Sequence, residues 1–455
     1  MRKIALTLIT CLSLLKSTAQ QQPPAQTYKF TLADCIKYAY EHQDSVKNAT
    51  LDITSADYKI KETIGQGLPQ VNGAISFQDY LKAPATVGPN LATAFSGAPV
   101  DQNAPLVKFP FGAVKYTNNY SVTASQLLFS GTFLVGLQAV KTYKELSQRS
   151  LVRSQIATNV SVTKAYYQVL VSNEQIKLLD ANINQLKQQL TETTQQNKQG
   201  FVEKIDVDRL EVQYNNLVTN RDNVTRSLTL NYAMLKFQMG MPVEKELLLT
   251  DKLADVNLTQ QAAETPADTS FYHNRIEYNL LETAKKLNEL DVKSKKAEYL
   301  PTLSANLGAA NVFQENNFRY LFNNAYPNSY VGFNLNIPIY SGGQRSARLK
   351  QSQITVQKSQ NDLDNAKNGF NLQATAARVT FFNSLQSLSN QKRNQALANE
   401  VLRVAKIKYG QGVGSSIEVT QAQTALESAD NDYIQALYDA LINKVNLDQA
   451  YGRIK

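Results

Sequence analysis

Residues 329–343 read SYVGFNLNIPIYSGG. Apolar side chains fall on every second position: Val331, Phe333, Leu335, Ile337 and Ile339 share one face, Gly332, Asn334, Asn336 and Pro338 the other. Alternation of period two marks a strand with one apolar side. The run ends in Ser341-Gly342, and a long polar stretch with helical spacing follows. A strand of about ten residues feeding directly into a helix is the unit on which the rest of the chain is built.

The unit occurs twice. NNYSVTASQLLFSG at 118–131 places Tyr120, Val122, Ala124 and Leu128 on the apolar side and ends in Ser130-Gly131. Two further alternating runs each follow a Leu-Pro pair. QVNGAISFQDY, from Gln70, carries Val71, Ile75 and Phe77. TLSANLGAANVF, from Thr302, sets Leu303, Ala305, Leu307 and Ala309 against Thr302, Ser304, Asn306 and Gly308. The offsets between corresponding landmarks are 232 for Pro69 and Pro301, 211 for Gly131 and Gly342, and 212 for both Gly200/Gly412 and Gly240/Gly452. The chain is therefore an internal duplication. Its first copy carries a longer insert between the Pro and Ser-Gly landmarks, as surface loops tolerate.

The expected organisation follows. A first repeat over 20–240 holds a first helix over Leu32–Gln66, strands 70–81 and 116–129, a long helix 132–198 and a helix 203–238. Residues 241–270 link it to a second repeat over 271–455, with a helix 271–299, strands 302–313 and 329–340, a long helix 344–409 and a helix 415–450. Thr31-Leu-Ala-Asp34 is a capping box that starts the first helix. The 344–409 helix carries a stripe of Leu363, Ala366, Phe370, Ala374, Ala377, Phe381, Leu385 and Leu388. The last helix carries Ala422, Leu426, Ala429, Tyr433, Ala436 and Ala440. Narrow stripes of this spacing belong to helices packed lengthwise as coiled coils.

Residues 1–19 read as a secretory signal peptide: Arg2 and Lys3, a short apolar core over Ile4–Leu15, then Ser17-Thr18-Ala19. Removing Arg2, Lys3 and Lys16 with it takes the formal charge from +9 to +6. The positive charges are spread among acids along helical faces, which argues against a nucleic-acid partner. Cys35 is the single cysteine left, so no internal disulfide forms, and it sits on an apolar helix face. No later stretch reaches the roughly 18 apolar residues of a transmembrane helix.

An exported chain with such strands can cross a membrane as part of a β-barrel. The alternative is a soluble hairpin pair lying on helices, but four strands with one apolar face and two open edges make a poor soluble sheet. Four strands also fall short of the roughly eight that close a small barrel, so several chains are expected to contribute. Each long helix, at 1.5 Å per residue, spans about 100 Å, and two of the shorter ones end to end match it. Strands at one end and glycine turns at the other describe a conduit.

On these landmarks the chain resembles the TolC-like outer-membrane efflux family: the two Leu-Pro strand starts, the LFSG and IYSGG strand-to-helix turns, and the two glycine tips. The resemblance covers nearly the whole mature chain. It implies a mostly α fold with a transmembrane β-barrel, in which long antiparallel coiled-coil helices form an α-barrel. Four strands per chain would build the twelve-strand barrel of a homotrimer in the outer membrane of a Gram-negative bacterium. It further implies a passive duct contacting outer-membrane lipid, docked to a periplasmic adaptor and an inner-membrane transporter. The 241–270 segment is the candidate for its equatorial layer. A type I protein-secretion duct of the same fold is the neighbouring alternative, and a periplasmic coiled-coil adaptor a more distant one.

The same resemblance assigns a periplasmic gate. Tyr409 falls on a gating tyrosine, Asp206 on the aspartate it bonds in the shut state, and Glu418 on an acidic ring at the aperture. Gly414 stands where the family has a gating arginine, and Gln421 where it has a second acid. Gly200, Phe201, Gly410, Gly412, Val413 and Gly414 form the tip turns and the adaptor-docking surface, and Ser130, Gly131, Ser341 and Gly342 the strand-to-helix turns. From the residues alone, Asp206 and Glu418 have two readings: acids ringing a narrow aperture, or acids favoured in a first helical turn by the dipole. No nucleophile elbow, phosphate loop or metal-ligand spacing is present, and His42 and His273 read as structural. No enzyme activity, cofactor or metal is expected.

Overall fold

The computed structural model describes residues 27–82, 86–88, 105–109, 114–253 and 270–454. The expected signal peptide, part of the loop between the first two long strands and residues 254–269 of the linker lie outside them. The chain divides into two compact units. One comprises residues 52–147 and 280–364, the other residues 148–279, 365–455 and the N-terminal stretch up to Leu51.

The first unit is organised around a four-stranded antiparallel sheet. Strands β2 (Gln70–Asp79), β5 (Tyr116–Ser130), β7 (Thr302–Glu315) and β8 (Ala325–Asn336) are ordered β2-β5-β7-β8. Two short strands, β3 (Thr86–Gly88) and β4 (Val107–Phe109), pair with each other in the first hairpin loop. Register fixes which side chains share a face. Val71, Ala124, Leu307 and Val331 lie in one cross-strand row, and Ala305 and Leu303 face Phe333 and Leu335. The opposite face carries rows such as Asn72, Thr123, Gly308 and Tyr330, or Ser125, Asn306 and Gly332. The sheet thus has an apolar side and a side of Asn, Ser, Thr and Gly. At its hairpin end aromatic rings gather: Phe77, Tyr116 and Phe318 meet with centroids 5.5–6.3 Å apart, and Phe313 meets Tyr120 and Phe322.

Two strand expectations need correction. The fourth strand runs from Ala325 to Asn336, not from 329 to 340. Pro338 has no N–H to give a ladder, and Ile339 and Tyr340 are almost fully exposed. The β5–β7 register shifts between Leu127 and Phe129, so Leu128 sits in a bulge without a partner in β7. A bulge of this kind bends the strand where it turns into a helix.

Seven α-helices are described. They are α1 (Leu32–His42), α2 (Asp44–Gln66), α3 (Gly131–Lys198), α4 (Lys204–Met239), α5 (Ile276–Ala297), α6 (Gln344–Gly410) and α7 (Ser416–Ala450). The long helices α3 and α6 have 68 and 67 residues. The α6 stripe is buried as expected, with Phe381 and Ala374 essentially inaccessible and Leu363 and Phe370 close behind. Thr31 and Asp34 form the capping box: Thr31 Oγ1 accepts from the Asp34 N–H at 3.2 Å, and Asp34 accepts from the Thr31 N–H at 3.0 Å. The Thr31 backbone bond, followed by its hydroxyl, holds the Asp34 carboxyl below its usual range.

The single helix expected over Leu32–Gln66 is broken. Gln43 adopts φ −69°, ψ 127°, ending α1, and its side-chain oxygen accepts from the Ser45 N–H at 3.0 Å. The second repeat breaks at the corresponding place. Residues Phe271–Asn274 form a 3₁₀ turn, Arg275 adopts φ −79°, ψ 125°, and only then does α5 begin. Gln43 and Arg275 are 232 residues apart, the offset of the Leu-Pro landmarks. The cause is tertiary. Gly240, the left-handed cap of α4, and Gly452, past the end of α7, lie against these breaks.

In the second unit, a two-stranded parallel ribbon joins β1 (Tyr28–Phe30) to β6 (Leu247–Leu249). The described start of the linker is therefore ordered by the N-terminal segment. Beneath it Asp251 accepts from the Tyr166 hydroxyl at 2.8 Å and from the Leu32 N–H at 2.9 Å. Around this lies the main core of Cys35, Ala39, Val162, Tyr166, Val169, Leu235, Met239 and Leu441. No helix is long and apolar enough to cross a membrane among the described residues.

Candidate functional site

The chain reverses twice at glycine turns, and the two are copies. After α3, Gly200 (φ +78°) donates to Asn197 O at 2.9 Å and Phe201 to Gln196 O at 3.0 Å. After α6, Gly412 (φ +73°) donates to Tyr409 O and Val413 to Lys408 O, both at 3.0 Å. This is the Schellman pattern, which needs a left-handed residue and satisfies carbonyls the helix leaves free. The following residue usually folds back as an apolar contact; here Phe201 and Val413 are 76% and 75% exposed. Of the three glycines in the second tip only Gly412 has positive φ; Gly410 ends the helix. Gly414 answers to close approach, because a Cβ there would lie 2.9 Å from Lys408 Cβ and 3.0 Å from Tyr409 N. A side chain at 414 would force this turn to shift.

Above the turns each helical hairpin has its own apolar core. Leu179, Leu186, Leu210 and Leu217 join α3 to α4. Leu402, Ala405, Val419, Ala422 and Leu426 join α6 to α7. The hydrogen bonds between the hairpins are polar ties. Asn182 Nδ2 donates across to Asp430 at 2.7 Å, and Gln395 Nε2, of the same hairpin as Asp430, also donates to it at 2.8 Å. Gln213 Nε2 reaches Thr420 O and Thr424 Oγ1 at 3.4 Å. Nearest the tip, the Ser416 hydroxyl donates to Asp206 Oδ1, which Arg209 also approaches at 3.5 Å.

The three expected gate residues are placed as follows. Asp206 and Glu418 both lie in first helical turns, of α4 and α7. The Glu418 N–H donates to the Ser415 side chain, the N-cap, at 3.2 Å. The hydrogen bond expected between Tyr409 and Asp206 is not made. The Tyr409 hydroxyl is buried without a hydrogen-bond partner. It lines a cavity of about 280 Å³ together with Gln189, Glu192, Thr193, Gln196 and Lys406. Burial, with the Asp206 charge nearby, raises its pKa. Spacing locates a tyrosine at the helix end but leaves its rotamer open, and here Tyr409 packs against the α6/α7 core. Ser416, which takes the Asp206 contact instead, was not singled out by the sequence. Its signal is a second hydroxyl beside the N-cap serine, at the start of a helix facing an acid.

The strand-to-helix turns differ between copies. Ser130 caps α3 by accepting from the Phe133 N–H at 3.3 Å, and a Cβ on Gly131 would lie 2.8 Å from Leu300 Cδ1. In the second copy both Gly342 (φ +58°) and Gly343 (φ +79°) are left-handed, and Ser341 O accepts from Gln344 N at 3.1 Å. The additional Gly343 accounts for the step in offset from 211 to 212.

An open-edged amphipathic sheet, and long helices paired into two duplicate hairpins, are the parts of an outer-membrane channel subunit. Comparison with known proteins agrees. The family model described as "Outer membrane efflux protein" matches residues 281–453. The outer membrane protein TolC of Vibrio cholerae is 21% identical over 73% of this chain and 76% of its own. The proteases secretion protein PrtF of Dickeya chrysanthemi is 24% identical over 70% and 67%. Among solved structures, CusC superposes with a TM-score of 0.73 at 17% identity, covering 95% of each chain. The open state of Neisseria gonorrhoeae MtrE superposes with 0.71 at 16%, covering 92% and 88%. The chain is similar throughout to TolC-like outer-membrane efflux proteins, a family of channels.

Proposed function

We propose that three copies form a passive outer-membrane duct, each giving four strands to one closed barrel. The observation that carries this is the sheet itself. Strands β2 and β8 pair on one side only, and Val71, Ile75, Val331 and Phe333 stand exposed on its apolar face. Open edges of this kind demand partners. An even number of antiparallel strands leaves the two edges running in opposite directions, so β8 of one copy and β2 of the next meet antiparallel. The Asn, Ser, Thr and Gly face would then line the water-filled lumen and the apolar face meet lipid.

In this reading the two tips form a gated periplasmic mouth. Phe201 and Val413 offer apolar contacts to a periplasmic adaptor, which couples the duct to an inner-membrane transporter. Separate hairpin cores joined by polar ties suit a mouth that opens by parting α3/α4 from α6/α7. Tyr409, Asp206 and Glu418 stay candidate lining residues of that mouth. The transporter selects the cargo. Relatives include a toluene efflux pump protein of Pseudomonas putida, TtgC, and the protease-secretion protein PrtF, and the duct suits either task. Amine-reactive crosslinking of the detergent-solubilised protein tests the assembly. It is expected to link different copies into a ladder ending at the trimer, and a monomer that stays uncrosslinked would oppose it.

A further inference from the structure

We propose that Ser416 is the residue that latches the two hairpins at the tip, by donating its hydroxyl to Asp206; this rests on the tips being the gate. Asp206 sits in the first turn of α4 and Ser416 begins α7, so the bond joins the starts of the two returning helices. The neighbouring Ser415 is already used as the N-cap of α7. That leaves the Ser416 hydroxyl free to reach across, with its backbone held by the cap. Asp206 has one other donor, Arg209 of its own helix, which orients the carboxylate without bridging the hairpins. Neither alternative latch is available here. The Tyr409 hydroxyl has no partner, and a side chain at 414 would force its turn to shift. Because each hairpin has a separate apolar core at this end, little besides polar ties opposes separation there. A hydroxyl–carboxylate bond is charge-assisted and stronger than a neutral one.

The test is single-channel recording of the purified full-length protein in planar bilayers. Ser416→Ala is expected to raise the open fraction roughly tenfold, the factor that loss of about one charge-assisted bond gives. Ser416→Thr, which keeps the hydroxyl, is expected to restore the wild-type level. Asp206→Ala with Ser416→Ala is expected to open the channel no further than Asp206→Ala alone. The helical signal and oligomer band of each variant check that it folds. A separate variant, Asp206→Cys with Ser416→Cys, is joined by a short bifunctional thiol reagent and should lose its residual openings. If the crosslink silences the channel but Ser416→Ala conducts like wild type, the latch assignment is overturned and the gate stands. If the crosslinked protein opens as before, the tip is not the gate, and both fall.

Discussion

The Cα of Gly240 is packed against the His42 carbonyl so closely that a Cβ would lie 2.6 Å from its oxygen. In the second repeat Gly452 stands in the same relation to Asn274, at 2.9 Å. Both glycines have φ near +70°. Each position thus combines a left-handed backbone with a backbone–backbone approach that no side chain survives. Gly240→Ala and Gly452→Ala are each expected to cost about 2–4 kcal/mol, from strain and clash together. Thermal unfolding followed by helical circular dichroism reads the loss; variants that melt like wild type would contradict it.

Arg275 is the buried charge that fixes the second break. Its guanidinium donates to Glu277 at 3.1 Å, Gln373 at 3.2 Å and the Ala450 carbonyl at 3.3 Å, and lies 4.5 Å from the Phe370 ring centre. Burial pushes Glu277 up, but the Arg275 bond and charge outweigh it and leave its carboxyl below the usual range. Removing one partner of a buried pair strands the other, so Arg275→Ala is expected to cost about 3–5 kcal/mol. Lysine lacks the planar fork, so Arg275→Lys is expected to recover only part of this in chemical denaturation. Full recovery would mean that charge alone suffices.

Glu427 is placed against its own interest. Burial raises its pKa, the neighbouring Gln423 amide partly opposes this, and the Asp430 charge adds to the rise. One carboxylate oxygen is buried with no partner. A raised folded-state pKa means the stabilising protonated form is fully present below the ordinary value of 4.5. That contribution is lost as the pH rises through the folded value. Glu427→Gln is therefore expected to melt higher than wild type at neutral pH, with the difference shrinking toward pH 4.5. A constant difference across that range would refute the assignment.

Cys35 is fully buried, and burial, aided by Asp34 and Asp251, pushes its thiol up to about 12. The thiolate is the reactive form. Mass spectrometry after maleimide treatment is expected to find Cys35 unmodified in the folded protein and modified after denaturation. Labelling of the native protein would show that this core opens.

Local patterns carried much of the architecture. Period-two alternation located the strands and their apolar faces, the helical stripe through Phe370 and Phe381 its buried side, and Thr31 with Asp34 the first cap. What local pattern could not give was imposed from a distance. Gln43 is an ordinary helix residue, and at its break Gly240 packs against the backbone from far along the chain. Tyr409 and Asp206 stand at one end of the hairpins by spacing alone, yet the choice of partner for Asp206 depends on rotamers. That choice fell to Ser416, one residue past the cap.

In the proposed reading this chain becomes a channel only as a closed assembly of copies. Purified protein, sized in detergent and then added to a planar bilayer, tests it most directly. A heat-labile trimer that inserts with uniform unitary conductance steps is expected. A species that stays monomeric without detergent and produces no conductance would contradict it.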